Sequence, residues 1–516
     1  MEYYYFCLVL LFLFFYLLFH EVIQDLKNHC NARYIILYCL LLTLLFKYNY
    51  GIEFWGLEYE DAYSFSFCTR QFSHDIYPSS FLIDAISIGS LDHPISMFTY
   101  GGHFITYSTF LSIFTQILGW SPQLISTINT FCAFMILLLL SLLGGKNKYW
   151  YIAPAIYCVA PIINVFTTCF LSETFSSLLC IAFVYAYHRD KTRINSFLCL
   201  LVCGLALLCK RENLALFFIP VIDAFISLIK IQKKNGLLDI VKNIMPYIVI
   251  VSIYIGGCQN VFSIESIESN DIGESTFSFD NFRQLLPVFI KSLLSFNTFS
   301  LTFYAFLVSI LYVILNKKGQ NRNQRMSVCM FSIYLILYTF HYRGYFFIKG
   351  EEVKDFETYR YINNFYYFIP VFFCTFTINK IKIVYISICL LLVFSFFQTL
   401  NLRKEYSALE NDIRFEEVEI VSNYIKSHTK RSILICENIL LYQNLCHSDF
   451  YVCDITQIHK LNLDIATIDY FCLFPDFKYL SQRYGININK NDFKAILQLP
   501  NNNYLYIYSP QKNKFN

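Results

Sequence analysis

The stretch GLEYEDAY, Gly56 to Tyr63, sets three carboxylates (Glu58, Glu60 and Asp61) just past the end of an apolar run. Charge beside a bilayer is costly and is seldom kept there without a use. Two apolar segments precede this stretch, about ten more follow it, and a polar region closes the sequence. Read outward from these acids, the sequence describes a protein built for lipid that does its chemistry at one membrane surface.

Composition supports that reading. Of 516 residues, 56% are hydrophobic, 19% aromatic and 15% charged, against roughly 25% charged in a soluble domain. The net charge of +3 is too small to argue for nucleic acid. Many of the 19 cysteines, among them Cys39, Cys132, Cys158, Cys180, Cys199, Cys203 and Cys389, lie inside apolar runs. There Cys behaves as a small hydrophobe, and no CxxC pair or Cys/His spacing points to zinc or redox chemistry. The apolar start lacks a basic leader and a small-residue cleavage site, which predicts a retained helix over 3–20.

A helix crossing the ~30 Å hydrocarbon core needs about 20 mostly apolar residues. Candidate spans are 3–20, 33–49, 121–143, 149–164, 170–188, 194–209, 213–229, 241–260, 298–315, 326–342, 361–378 and 383–400. Basic connections at Lys27/Arg33, Lys146/Lys148, Arg189/Lys191/Arg193, Lys230/Lys233/Lys234, Lys317 to Arg325 and Lys380/Lys382 then fall on one side, the cytoplasm by the positive-inside rule. The opposite face receives the loops 50–120, 261–297 and 343–360 and everything after residue 400. Met97–Leu118 reads as interfacial or re-entrant helix, because counting it as a crossing would invert the later basic loops.

Residues 401–516 change character. Phe415–Ser427 is an amphipathic helical pattern, and β-rich runs follow at Ser432–Cys436, Phe450–Asp454, Ile468–Phe474, Ala495–Leu499 and Tyr504–Tyr508. With a helical piece at Pro475–Tyr484 between them, the alternation predicts a small α/β domain. The expected fold is thus mainly α: a polytopic membrane domain over 1–400 with about twelve transmembrane helices, and an extracytoplasmic α/β domain over 401–516. The loop 50–120 would be catalytic.

Several residues suit chemistry on a hydroxyl and an anion. Glu58, Glu60 and Asp61 are either a solvated loop or helix start, or the source of a general base that takes a hydroxyl proton. Tyr63 and its aromatic neighbours suit sugar stacking and interface anchoring alike. Asp92 and His93 precede Pro94, so they sit extended or in a turn; a divalent metal held by carboxylates and His93 has no ligand spacing behind it. Glu173 is either a helix-start residue held by Ser172 and Thr174, or a second carboxylate facing the site. Lys210-Arg211-Glu212 lies on the face the positive-inside rule should leave poor in cations. It is a local ion pair or a clamp for an anionic group, since Arg matches phosphate oxygens bidentately. Arg343, Lys349, Arg360 and Tyr361 fall on the same face.

The order of these features resembles the GT-C superfamily of polyprenyl-phosphate-sugar-dependent glycosyltransferases, nearest the bacterial branch of protein O-mannosyltransferases and lipid A aminoarabinose transferases. The acidic motif of the first external loop is matched by Glu60-Asp61-Ala62-Tyr63, with the usual acid order reversed. A His-Pro-Pro-type segment is matched by His93-Pro94-Ile95, without the second proline. An Arg-x-Glu-like helix start is matched by Arg211-Glu212-Asn213, and a late Arg-Tyr before a proline-bearing span by Arg360-Tyr361 and Pro370. The resemblance covers residues 33–400 loosely and implies an inverting transfer from a polyprenyl-phosphate-linked sugar to a glycan, lipid or protein acceptor. It implies a base among Glu60 and Asp61, the reversed order leaving open which. Arg211, Arg360 and Lys210 would bind the departing phosphate.

Three rivals stand beside this reading. A transporter or flippase would place its charges near the midplane, whereas here they gather on one face. A polysaccharide polymerase or ligase would keep its basic residues in one large external loop. A non-catalytic assembly factor would tolerate loss of Glu60, Asp61 and Arg211 together.

Overall fold

The computed structural model describes residues 2–48, 69, 82–83, 96–97, 105–119, 122–144, 149–167, 171–189, 192–230, 236–255, 279–315, 322–340, 355–375, 381–408, 413–427, 431–437, 442, 451–455, 458, 468–500 and 502–508. Glu58, Glu60, Asp61, Tyr63, Asp92, His93 and Arg343 lie outside these residues, as does the Arg211 side chain. The chain forms two compact units. One is Met1–Gly56 with Gly102–Tyr406, and the other is Leu57–Gly101 with Ser407–Asn516.

The first unit is helical, and its outer helices are amphipathic in an inverted sense. On the Glu2–Asn28 helix, Cys7, Leu11, Phe14, Leu18 and Val22 form the buried stripe, while Phe6, Val9, Phe12 and Tyr16 point outward. The Ile381–Ala408 helix buries Ser395, Thr399 and Arg403 and exposes Ile386, Leu390, Val393 and Phe397. A helix facing water would reverse that arrangement; facing hydrocarbon, the polar groups must find partners inside. Central helices such as Pro122–Leu143 and Glu173–His188 are apolar on nearly every face and are enclosed by the others.

Helices occur over all twelve expected spans. Three of the described helices are long and apolar enough to cross a membrane: Tyr5–Asn28, Gln123–Leu143 and Ile386–Lys404. Arg193–Leu207, Asn243–Ile253 and Thr302–Ile314 are shorter and apolar. The count of about twelve crossings therefore remains a reading of the sequence. Several segments are interrupted, which shortens their helices. Ala160 is extended ahead of Pro161, splitting 149–164 into Ile152–Val159 and Pro161–Val165, as the residue before proline prefers. Lys210 is likewise extended (φ −149°, ψ 136°), between the Arg193–Leu207 helix and a tight 3₁₀ turn over Arg211–Phe217.

The second unit contains a five-stranded sheet in the order β4-β3-β5-β7-β6. Its strands are β3 (Arg431–Cys436), β4 (Tyr451–Asp454), β5 (Ile468–Phe474), β6 (Phe493–Gln498) and β7 (Tyr504–Tyr508), all close to the expected runs. β3, β4 and β5 are parallel, and β7 joins β5 and β6 antiparallel. A shorter antiparallel pair, β1 (Leu82–Ile83) and β2 (Ser96–Met97), belongs to the same unit. The central strands are apolar at successive positions because both faces of the sheet are covered. Ile433, Ile435, Tyr470, Cys472 and Phe474 pack with Leu480 on one side. On the other, Leu434, Cys436, Phe471 and Leu473 pack with Val418, Val421 and Ile425 of the Ile413–Lys426 helix.

Candidate active site

A charged cluster lies inside the helical unit, where a helix start and a break before a 3₁₀ turn meet the side of a third helix. Glu173 opens the Glu173–His188 helix, Lys210 is the extended residue before the 3₁₀ turn, and Arg360 is on the Asp355–Tyr366 helix. One carboxylate oxygen of Glu173, Oε1, accepts from Lys210 Nζ at 2.8 Å and from Arg360 Nε. The other, Oε2, has no hydrogen-bond partner among the described residues. Neither neighbour named in the sequence holds the acid: Thr174 Oγ1 donates to the Phe166 carbonyl, and the Ser172 hydroxyl makes no cap.

The cluster extends to side chains the sequence reading passed over. Lys210 Nζ also donates to Asn364 Oδ1 at 3.1 Å, and Asn364 Nδ2 donates to the Tyr338 hydroxyl at 2.9 Å. Asn364 lies one helical turn after Arg360, so both face the same way. A polar residue at this spacing within the apolar RYINNFYYFIP run was the available signal. Tyr361, half-buried, has its ring centroid 5.2 Å from that of Tyr338.

Lys210 is fixed through its backbone. Its N–H donates to the Ala206 carbonyl at 3.0 Å, and its own carbonyl accepts from the Asn213 N–H at 3.1 Å. Asn213 Nδ2 then donates to Ser176 Oγ and to the Ala206 carbonyl, pinning the turn to the helix that Glu173 opens. Behind the acid, Phe110 stacks on Phe175 with centroids 4.3 Å apart, and Thr106 Oγ1 donates to the Leu208 carbonyl at 2.6 Å.

The charges are disposed asymmetrically. The Glu173 side chain has no exposed surface, whereas Lys210 and Arg360 keep 11% and 10% of theirs. The cations thus keep a little accessible surface and the carboxylate none. A carboxylate enclosed in this way is badly placed to take a proton from an incoming hydroxyl, which requires hydrogen-bond reach. Two cations at an opening suit an anion, above all a phosphate.

A second cationic node lies in the same unit. Arg403 donates from Nη1 to the Tyr48 carbonyl at 2.9 Å, and from Nη2 to the carbonyls of Phe46 (2.8 Å) and Asn164 (3.4 Å). Lys47 Nζ sits 4.3 Å from the centre of the Tyr157 ring and 3.5 Å from the Ile163 carbonyl. Among the described residues, no group of three or more His, Cys, Asp or Glu could hold a metal ion.

The helical unit and the small α/β unit give this chain a fold that solved structures share. No family profile matches the chain, and no curated protein matches it. Among solved structures the chain is similar to ArnT from Cupriavidus metallidurans bound to undecaprenyl phosphate, with a TM-score of 0.58 and 10% identity over 93% of this chain and all of that one. It is similar also to apo ArnT from the same organism, with a TM-score of 0.54 and 10% identity, covering 93% of this chain and 99% of that one. At that identity the likeness is one of fold.

Proposed function

We propose that this chain is an integral-membrane glycosyltransferase that moves a sugar from a polyprenyl-phosphate donor to an acceptor hydroxyl on the extracytoplasmic face, with inversion. The observation that carries this reading is the Glu173–Lys210–Arg360 cluster, set in a fold shared with a protein crystallised with undecaprenyl phosphate. In the proposed step the acceptor oxygen bonds to the anomeric carbon as the bond from that carbon to the phosphate oxygen breaks. The phosphate leaves with the electron pair, and a carboxylate takes the acceptor proton. A phosphate needs no general acid to depart, but its developing charge needs cations. Lys210, Arg360 and Arg211 are assigned that role. Glu60 or Asp61, with Glu58 beside them, is assigned the base. The transferase domain is assigned to residues 1–400 with the loop 50–120, of which 57–101 fall in the second compact unit, and an extracytoplasmic domain to 401–516.

The test is transfer from a panel of radiolabelled polyprenyl-phosphate sugars in membranes, comparing wild type with Glu60→Gln, Asp61→Asn and Arg360→Lys. Arg360→Lys keeps the charge but loses the planar donor set, and should slow transfer by about 10²-fold at unchanged expression. Loss of one acid should stop transfer and name the base. If wild type consumes no donor, or all three variants match it, the glycosyltransferase reading fails and transport assays follow.

A further inference from the structure

β3, β4 and β5 are parallel in the order β4-β3-β5, so the chain steps from β3 to one neighbour and then back across β3 to the other. The segments that follow β3 and β5 pack on opposite faces of the sheet. After β3, Tyr442 packs on the face covered by the Ile413–Lys426 helix and donates to Glu417 of that helix at 3.0 Å. After β5, the Phe477–Tyr484 helix packs on the other face through Leu480. Parallel neighbours whose exits diverge in this way leave a crevice beyond their carboxyl ends, the place where open α/β sheets bind ligands.

Four side chains meet there. Glu437, the residue after β3, accepts from Arg483 Nη2 at 2.6 Å and from the Tyr479 hydroxyl at 2.8 Å, both on the Phe477–Tyr484 helix. The Tyr484 hydroxyl donates to the same carboxylate. The guanidinium lies 5.6 Å and 5.7 Å from the ring centres of Tyr479 and Tyr484, whose rings meet edge to face at 6.2 Å. With 57% of the Arg483 side chain and 35% of that of Glu437 exposed, donors and lone pairs beyond these contacts stay open to a ligand.

The common occupant of such a crevice is a phosphate at the following helix N-terminus, and these residues do not suit one. The Asp476 carboxylate already fills that position, accepting from the Tyr479 N–H at 2.6 Å, and Glu437 adds a second carboxylate at the end of β3. Neither strand is followed by a glycine-rich turn: the sequence continues ENIL after β3 and PDFK after β5. A planar base has no matching surface either, because the two tyrosine rings are inclined at 73° and form no parallel pair. What the four side chains present is a planar double donor and a double acceptor set against aromatic rings. Vicinal hydroxyls, each both donor and acceptor, match Arg and Glu, and the apolar C–H face of a sugar ring suits a tyrosine ring with a polar tip.

We propose that the crevice beyond β3 and β5 is a non-catalytic binding site for a neutral saccharide, with Arg483 and Glu437 taking vicinal hydroxyls and Tyr479 and Tyr484 the C–H face of the ring. The site uses neither the lipid donor nor the Glu173–Lys210–Arg360 cluster, so it stands or falls apart from the transferase reading.

The experiment is saturation-transfer NMR with titration on the full-length protein in lipid nanodiscs. The probes are maltose, cellobiose, lactose and N,N′-diacetylchitobiose, with adenosine as a planar comparator. At least one disaccharide should bind, with saturation strongest on the C–H protons of one ring face. Arg483→Ala and Arg483→Lys should each weaken that binding by about tenfold, through loss of hydrogen bonds to a charged group whose planar fork Lys does not reproduce. Arg483 is exposed, so neither change endangers folding. Lys494→Ala, on the edge strand β6, should bind as wild type does. Added undecaprenyl phosphate should leave the bound disaccharide in place. The inference is overturned if no disaccharide of the panel binds, if Arg483→Ala binds as tightly as wild type, if adenosine binds in their stead, or if undecaprenyl phosphate competes. The donor-phosphate reading keeps its own test in the transfer assay, so the two can fail separately.

Discussion

Lys210 and Arg360 share one carboxylate and keep about a tenth of their side-chain surface open, whereas Lys47 and Arg403 are enclosed and serve carbonyl oxygens. Both pairs lie in apolar surroundings, where a charged side chain is a functional candidate by default. The difference in burial is small, and the atoms they engage separate the two pairs more clearly. Arg403 reaches the carbonyls of Phe46 and Tyr48, at the end of the helical segment that runs from Ala32 to Lys47, and that of Asn164. The last carbonyls of a helix have no partner within it, so Arg403 acts as a side-chain cap and ties three segments together. Its Nη1 and Nη2 donors are committed to the fold. At the other pair the acceptor is an acid side chain, Glu173, and the cations keep some accessible surface.

The contrast is broken most directly at Arg403. Arg403→Met keeps much of the volume and takes a donor from three carbonyls, of which that of Asn164 keeps the Thr167 N–H, at roughly 1–3 kcal/mol for each buried acceptor left unmade. Partial relaxation brings the expected loss to about 3–5 kcal/mol, read as a large fall in the detergent melting temperature. Transfer per folded molecule should hold near wild type. Were Arg403→Met to fold normally and lose transfer instead, the two nodes would have to be ranked the other way.

A smaller effect is expected at Asn364, whose Oδ1 also accepts from Lys210. Asn364→Leu removes the acceptor for Lys210 and the donor to Tyr338. One lost hydrogen bond to a charged group is worth about 1.5–3 kcal/mol in full, and less where water can replace it. Because Lys210 keeps its bond to Glu173, the expected change is a rise of about tenfold in donor KM with the melting temperature nearly unchanged. A fall in kcat at constant KM would show that Asn364 serves the transition state alone.

The two nodes were not equally legible. Lys210, Arg360 and Glu173 stood out because cations on the face that should lack them contradict the positive-inside pattern, and an acid inside a span is rare. Lys47 and Arg403 lie at the ends of expected spans on that same expected face, yet nothing local marks them out. Their partners lie more than a hundred residues away in sequence, as Glu173 does from Arg360 and Asn364 from Lys210, and no local pattern encodes such contacts. The strands of the second unit were readable almost to the residue, since apolar runs such as IDYFCLF are bounded by polar turns. Helix breaks at Ala160 and Lys210 were half-legible: Pro161 marks the first, while the second follows from side-chain bonds of Asn213 that only the fold assembles.

The mildest test uses an exposed counterpart in the α/β unit, where Arg483 pairs with Glu437 at 2.6 Å and the Tyr479 hydroxyl donates to the same carboxylate at 2.8 Å. Here 57% of the Arg483 side chain and 35% of that of Glu437 are exposed, so water screens the pair and its worth is a fraction of a kcal/mol. Partial burial, with the Glu437 carboxylate adding to it, pushes the Tyr479 hydroxyl above its ordinary value, and Tyr484 moves the same way. The sign follows from linkage: a group whose folded pKa is raised binds its proton more firmly when folded. Its contribution is complete below the unfolded tyrosine value of about 10, and is lost as pH rises through the folded one. Stability of this unit should therefore sag slightly above pH 10, and Glu437→Gln should reduce that sag while leaving transfer untouched. A loss several times larger would mean that surface pairing does in this unit what enclosure does at Arg403.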